Sequence, residues 1–348
     1  MTDLVGMDFE RLARVAIAEG EPAYRGRQIG DWIYRRGAVG FDQMSNLSKA
    51  LRARLALRYR IGSLAERDRV ETPDRRTRKI ALALPDGGIV ESVFMSTPTR
   101  YTFCLSSQQG CGFACRFCAT GRMGRGRNLT AGEILEQALR LRAELPPGVT
   151  DYNVVLMGMG EPLENYDAVL AALGLLTDPA GAAVPAKRIT ISTVGLVPQI
   201  IRLADEAPRY RLAISLHAAT DELRSKLMPV NRTFPLEQLM KAVRHHVERT
   251  ERRVTFEYIL IEEINDTIGD AAKLVRLVAQ LPCKINLIPY NPIGPGKFRR
   301  PAPERIERFA DHLRPRVPAV TVRYSQGVEI GAACGQLAGR AGEGGARR

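Results

Sequence analysis

Cys111-Gly-Phe-Ala-Cys115-Arg-Phe-Cys118 is the stretch that decides the reading of this chain. Three cysteines lie within eight residues, spaced C-x3-C-x2-C. Three thiols so close in a loop cannot all pair with one another as disulfides, and they are one ligand short of a closed tetrahedral zinc site. Three soft thiolates do suit an iron–sulfur cubane, which would keep one iron open for a substrate. Cys104 is the only other cysteine nearby, so zinc remains the rival metal only if a fourth ligand is found.

The surroundings of the loop set the fold. From Tyr101 onward strand-like and helix-like segments alternate. Strands are predicted at Tyr101–Ser106, Tyr152–Met157, Arg188–Ser192, Arg211–Leu216, Val254–Ile261, Lys284–Ile288 and Val320–Tyr324. Helices are predicted from the capping box Thr130-Ala-Gly-Glu133 to Leu145, then at Ala168–Leu176, Val197–Ala204, Leu236–Arg249, Ala271–Leu281 and Pro303–Leu313. Repeated β–α units imply a parallel sheet, and six or seven of them suit a partial TIM-like (β/α) barrel, whose active residues sit in the loops after the strands. The cysteine loop follows the first such strand.

Upstream the period differs. Residues 1–62 read as a basic helical segment: Ile29, Trp32 and Ile33 share one face, and Ser48 caps a helix carrying Leu51 and Leu55. This is either a bundle capping the main domain or an RNA-docking module. Residues 63–98 read as a β-hairpin extension turning at Pro85-Asp-Gly-Gly88. Arg75, Arg76, Arg78 and Lys79 on its first arm read as a solvated edge. The barrel would then span 99–338, with a disordered Gly/Ala/Arg tail at 339–348.

Composition narrows the class. The 348 residues carry a net charge of +13 and only six cysteines. A polyanionic partner, nucleic acid foremost, is expected from that charge, although an Arg-rich proteome would also produce it. Few cysteines, half of them in one cluster, argue for metal or catalysis in a reducing compartment rather than a disulfide framework. No apolar run approaches the roughly 18 residues of a membrane span, and no signal peptide is visible, so a cytoplasmic protein with no membrane partner is expected.

The cysteine loop with a βα barrel behind it resembles the radical S-adenosylmethionine (SAM) superfamily. Met157-Gly-Met-Gly-Glu-Pro-Leu163, Thr190-Ile-Ser-Thr-Val-Gly195, Ser215-Leu-His-Ala218, Ile288-Pro-Tyr-Asn-Pro292 and Ala332-Ala-Cys-Gly-Gln-Leu337 resemble the RlmN/Cfr family of RNA methyltransferases, the RlmN type most closely. The resemblance covers nearly the whole chain. It implies methylation of carbon-2 of a specific adenosine in 23S rRNA, and of tRNA for some members. The Cfr-type alternative acts on carbon-8 of the same base. A different class, an RNA-binding module with a structural metal, also remains. Implied cofactors are one [4Fe-4S] cluster held by Cys111, Cys115 and Cys118 and two SAM molecules per turnover. A flavodoxin-type electron donor and a monomeric state are expected as well.

The resemblance also assigns individual residues. Gly160, Glu161, Ser192, Ser215, Leu216, His217 and Asn291 would line the SAM site, with Glu161 accepting the methionine ammonium. Taken alone, Ser192 and Asn291 read as turn-capping residues and His217 as a satisfied core histidine. Cys334 would carry a methyl group and, through it, a transient bond to the base. Cys104 would remove a proton and close a disulfide with Cys334. By itself, Cys104 reads as a buried apolar cysteine. Glu91 matches a glutamate given a proton-accepting role, in competition with Cys104; otherwise it is an exposed strand carboxylate. Cys283 reads as core. The family's aromatic after the cluster is replaced by Gly124-Arg-Gly-Arg-Asn-Leu129. Arg122, Arg125 and Arg127 are therefore expected to form a basic loop against RNA phosphate.

Overall fold

The computed structural model describes residues 1–206 and 209–338. The tail at 339–348, expected to be disordered, lies outside the described residues.

The N-terminal segment folds as expected from its apolar spacing. A short strand β1 (Thr2–Asp3) precedes α1 (Phe9–Ala18), which Asp8 caps by accepting the Arg11 N–H at 2.7 Å. Helix α2 (Tyr24–Gly30) runs into one wider turn at Asp31–Arg35, and Ser48 caps α3 (Lys49–Arg58) through the Leu51 N–H. Strand β2 (Tyr59–Arg60) pairs in parallel with β1 and closes the module. Ile29, Ile33, Leu51 and Leu55, all fully buried, belong to the same apolar cluster as the barrel core.

The rest is built on one ten-stranded sheet. Its strands are β3 (Ala65–Glu71), β4 (Thr77–Ala83), β5 (Ile89–Thr97), β6 (Arg100–Cys104), β7 (Asn153–Leu156), β8 (Ile189–Thr193), β9 (Arg211–Ser215), β10 (Val254–Leu260), β11 (Cys283–Pro289) and β12 (Val320–Val322). They pair in sequence order. From β6 to β12 every neighbour is parallel, and from β3 to β6 every neighbour is antiparallel. The sheet does not close, because β3 and β12 are its two ends. This is an α/β partial barrel.

The crossover helices follow the capping and periodicity signals. They are α4 (Ala119–Arg122), α5 (Ala131–Arg142), α6 (Tyr166–Thr177), α7 (Val197–Glu206), α8 (Asp221–Leu227), α9 (Leu236–Thr250), α10 (Ile268–Val278) and α11 (Pro303–Leu313). The Thr130/Glu133 capping box is formed. Helix α8 was not anticipated: seven residues are too few for a clear periodic signal.

Two readings of the extension change. The hairpin at 77–97 has a third strand, β3, on its outer side, and β5 pairs with β6, so the extension is continuous with the barrel sheet. The basic run on β4 is also not an open edge. Arg78 pairs with Glu71 and Glu144, and Lys79 with Glu91 at 3.0 Å. An interior strand must neutralise its charges, whereas an edge strand can leave them to water.

Candidate functional site

The C-terminal ends of the parallel strands ring a cavity of about 910 Å³, part of it open to solvent. Such ends carry the active sites of βα barrels. Cys111, Cys115, Cys118, Gly160, Glu161, Ser192, Ser215, His217 and Cys334 all contribute to its wall. They come from five segments: the loop after β6, the turn after β7, the ends of β8 and β9, and the C-terminal stretch.

The cysteine loop is pinned on both sides. The Cys111 N–H donates to Gly124, the Arg116 N–H to Leu227 and the Ala119 N–H to Gly335, at 2.8, 3.0 and 2.7 Å. The Thr120 hydroxyl donates to the Leu337 carbonyl at 2.6 Å. The C-terminal segment bearing Cys334 is thus bonded to the segment bearing the three cysteines. Burial pushes the Cys111 thiol up to about 12, and burial also raises Cys115 and Cys118. Buried thiolates need compensating positive charge, which metal ligation supplies. Among the described residues no three His, Cys, Asp or Glu side chains form a ready-made metal-ion site. The three cysteines instead share one cavity wall, and a cubane takes each thiolate on a separate iron. The donor set therefore fits a three-cysteine cluster.

Glu161 lines the same cavity. Its Oε1 accepts the Leu163 N–H at 3.0 Å and its Oε2 the Val194 N–H at 2.8 Å. Burial nevertheless outweighs these bonds and raises its pKa to about 7. Gly160 has φ +98°, and a Cβ there would lie 2.7 Å from the Gln108 backbone nitrogen. Only glycine allows this turn to bring Glu161 to the wall.

His217 occupies a left-handed backbone position, φ +59°. Its Nδ1 accepts the Ile259 N–H at 3.0 Å, which assigns the proton to Nε2. Burial drives its pKa down to about 3, so the ring is neutral. Phe117 packs edge-on against it, with ring centroids 4.6 Å apart.

Four sequence-derived residues stand elsewhere. The Leu216 side chain is fully buried and does not line the cavity; only its backbone takes part, donating to Glu257. Asn291 is turned away from the wall, since its amide donates to Ser325 at 2.9 Å and to the Cys334 carbonyl at 3.2 Å. Cys104 lines a second, smaller cavity, and Cys334 lines both. Burial and the nearby Cys334 push the Cys104 thiol up to about 12, so it holds its proton. Glu91 is neither exposed nor in either cavity wall. Its Oε1 pairs with Lys79 and its Oε2 accepts the Ala338 N–H at 2.8 Å. Lys79 Nζ also donates to the Gly331 carbonyl at 3.4 Å. The pair grips both ends of the Cys334 segment.

Some site residues escaped the sequence reading. Arg224 of α8 is fully buried and donates to the carbonyls of Val194, Leu216 and Ser215 and to Asn231 Oδ1. It ties the ends of β8 and β9 together, yet in sequence Asp221-Glu-Leu-Arg looks like a solvated helix start. Glu257 had a signal: it is the lone charge in the apolar strand Val254–Leu260. It lines the cavity, and its Oε2 has no hydrogen-bond partner. Cys283 is buried core, as expected.

The basic loop is divided. Arg127 is held between Asp86 and Glu133, with the Glu133 contact at 2.7 Å, so it serves the helix start at α5. Arg125 pairs with Glu164 but remains largely exposed.

An open βα barrel with a three-cysteine loop after its first parallel strand defines a radical SAM protein. The radical SAM superfamily model matches residues 105–275, and the model of the ribosomal RNA large subunit methyltransferase N-terminal domain matches residues 2–61. A probable dual-specificity RNA methyltransferase RlmN of Moorella thermoacetica is 46% identical, covering 96% of both chains. Another, of Symbiobacterium thermophilum, is 47% identical over 97% of this chain and 91% of its own. The crystal structure of a radical SAM methyltransferase from Sphaerobacter thermophilus superposes with a TM-score of 0.94 at 47% identity, covering 98% of this chain and all of that one. The chain belongs to the RlmN family of radical SAM RNA methyltransferases. The cofactors of this superfamily are a [4Fe-4S] cluster and SAM. Among the described residues no helix is long and apolar enough to cross a membrane.

Proposed function

We propose that the protein methylates carbon-2 of an adenosine in 23S rRNA, and an adenosine of some tRNAs, by way of a methyl group carried on Cys334. The observation that carries this is the position of Cys334: it lines both the cavity walled by Cys111, Cys115 and Cys118 and the small cavity holding Cys104. A residue so placed can collect a carbon on one side and be released from it on the other.

Cys111, Cys115 and Cys118 would hold the cluster, and Glu161, with Ser192, Ser215 and neutral His217, would bind SAM. When bound, these cofactors supply the methyl group and a one-electron oxidant that can strip hydrogen from it. Carbon-2 of adenine lies between two nitrogens and is too electron-poor to attack a methyl sulfonium, which is why such an oxidant is needed. Glu161 would accept the methionine ammonium, a charge-assisted bond that also favours its ionised form. Asn291 would act indirectly, by holding the Cys334 carbonyl. Cys104, once its own thiol proton has been lost, would take the carbon-2 proton. It would then attack the Cys334 sulfur as a thiolate, so that the Cys334 S–CH2 bond breaks as the disulfide closes and the released carbon is protonated to the product methyl. Glu91, bound to Lys79 and Ala338, would steady the Cys334 segment rather than accept a proton. The match of residues 2–61 to a ribosomal RNA methyltransferase N-terminal domain supports the rRNA substrate. An external reductant of flavodoxin type would supply the electron.

The test is mass spectrometry of nucleosides from 23S rRNA and tRNA of cells with and without the gene. Loss of 2-methyladenosine is expected. A methyl on carbon-8, or no difference, refutes the assignment.

A further inference from the structure

The opposite end of the barrel is shaped as well. Beneath the catalytic cavity, the N-terminal ends of the parallel strands surround a second concavity with about 1840 Å³ of empty space. Eight Lys and Arg side chains line it against one carboxylate, Glu257. They arrive in register. Arg100 starts β6, Arg188 precedes β8, Arg211 starts β9, Arg253 precedes β10 and Lys284 is the second residue of β11. Arg188 pairs with Asp151 at 2.9 Å. Among the described residues no ion pair within 4 Å involves Arg100, Arg211, Arg253 or Lys284. Burial lowers the pKa of Lys284; Glu257 opposes the shift, and Arg253, Arg323 and Arg100 add to it. The floor is different in kind. Thr102, Asn153, Thr190, Thr255, Asn286 and Thr321 supply neutral hydroxyl and amide groups. The Thr321 hydroxyl already donates to Asn286, and the Asn153 and Asn286 amides each donate one hydrogen, to Tyr101 and Glu257, and keep a second.

We propose that this end of the barrel is a binding site for a small polyphosphate, a molecule with two or more linked phosphate groups. A cationic rim over a floor of neutral donors matches charged oxygens that must also be hydrogen-bonded. Concavity decides between sources. A short polyphosphate can enter and reach the floor, whereas a folded RNA presents a convex backbone that would meet the rim alone. Met157 and Glu257 line both this concavity and the catalytic cavity, which places the two sites back to back across β7 and β10. It does not depend on which adenine carbon is methylated.

Tripolyphosphate is the suitable probe, because it has no base to enter the SAM cavity. Calorimetric titration of the full chain should show one site, unaffected by saturating SAM and weakened by added salt. Arg211→Gln/Arg253→Gln removes two exposed rim charges and should weaken binding about tenfold or more. Phosphate monoanion should bind far more weakly. Because both side chains are exposed, circular dichroism should be unchanged; should the double variant unfold, Arg211→Gln alone serves. No binding at about 1 mM, or affinity equal in wild type and variant, overturns the proposal. So does displacement of the probe by a 20-nucleotide RNA whose own binding falls equally in the variant, which would make the rim an RNA-backbone contact.

Discussion

Glu161→Gln offers a quantitative test of how the site is charged. In the folded chain without cofactors, burial raises the Glu161 carboxyl from its ordinary 4.5 to about 7. Each unit of pKa difference is worth 1.36 kcal/mol, so the gap corresponds to about 3 kcal/mol. The sign follows from proton counting. Below pH 4.5 both folded and unfolded chains hold this proton. Between 4.5 and 7 the unfolded chain loses it while the folded chain keeps it, so stability falls as pH rises. Above 7 both are ionised and the loss is complete. Glutamine is neutral throughout. Its amide would face an N–H of Leu163 or Val194, a constant cost of about 1 kcal/mol with no pH dependence. Urea unfolding of the cofactor-free protein from pH 4.5 to 8 should therefore show wild type losing about 3 kcal/mol relative to the variant. Parallel curves would refute the reasoning, because other titrating groups such as Glu257 cancel in the difference. The same charge logic predicts that SAM, whose ammonium favours the ionised carboxylate, releases a proton on binding near pH 6. Calorimetry in two buffers of different ionisation enthalpy reads that proton directly.

Arg224→Met should destabilise the protein by about 3 kcal/mol or more, since it strands several buried carbonyls that the guanidinium satisfies, each worth about 1–3 kcal/mol; an unchanged urea midpoint would contradict this. Cys104→Ala should leave a covalent protein–RNA adduct visible on a denaturing gel, while Cys334→Ala should show neither adduct nor methylated RNA. If Cys104→Ala forms no adduct, its role as the releasing thiol is wrong. Arg125→Ala should weaken RNA binding and flatten its salt dependence by about one phosphate contact. Arg127→Ala should instead lower stability by about 1–3 kcal/mol, because it leaves the buried Glu133 unpaired; equal salt slopes for both variants would undo the distinction.

Local patterns in the sequence carried the strands and helices and the spacing of the cysteine loop. Periodicity placed all seven parallel strands within a residue or two, because each is a short run rich in β-branched and apolar residues bounded by turns or helix starts. The Thr130 capping box and the cysteine spacing were legible for the same reason: both are local patterns set by covalent distance. Resemblance in the Met157–Leu163 and Ser215–Ala218 segments then placed Glu161 and His217 at strand ends, and the structure puts both in the cavity wall. The tertiary structure decided what depends on distant partners. Glu91 could not be read as buried, because its neighbours Lys79 and Ala338 come from another strand and from the C-terminal segment. Arg127 looked free to meet RNA until Asp86 and Glu133 were brought beside it. Arg224 looked solvated because helix α8 is short and polar, and only its packing under β8 and β9 shows it as an interior anchor. The three-cysteine loop is written in eight consecutive residues, but the two cavities that meet at Cys334 exist only because the sheet curves and brings residue 334 back beside residue 104.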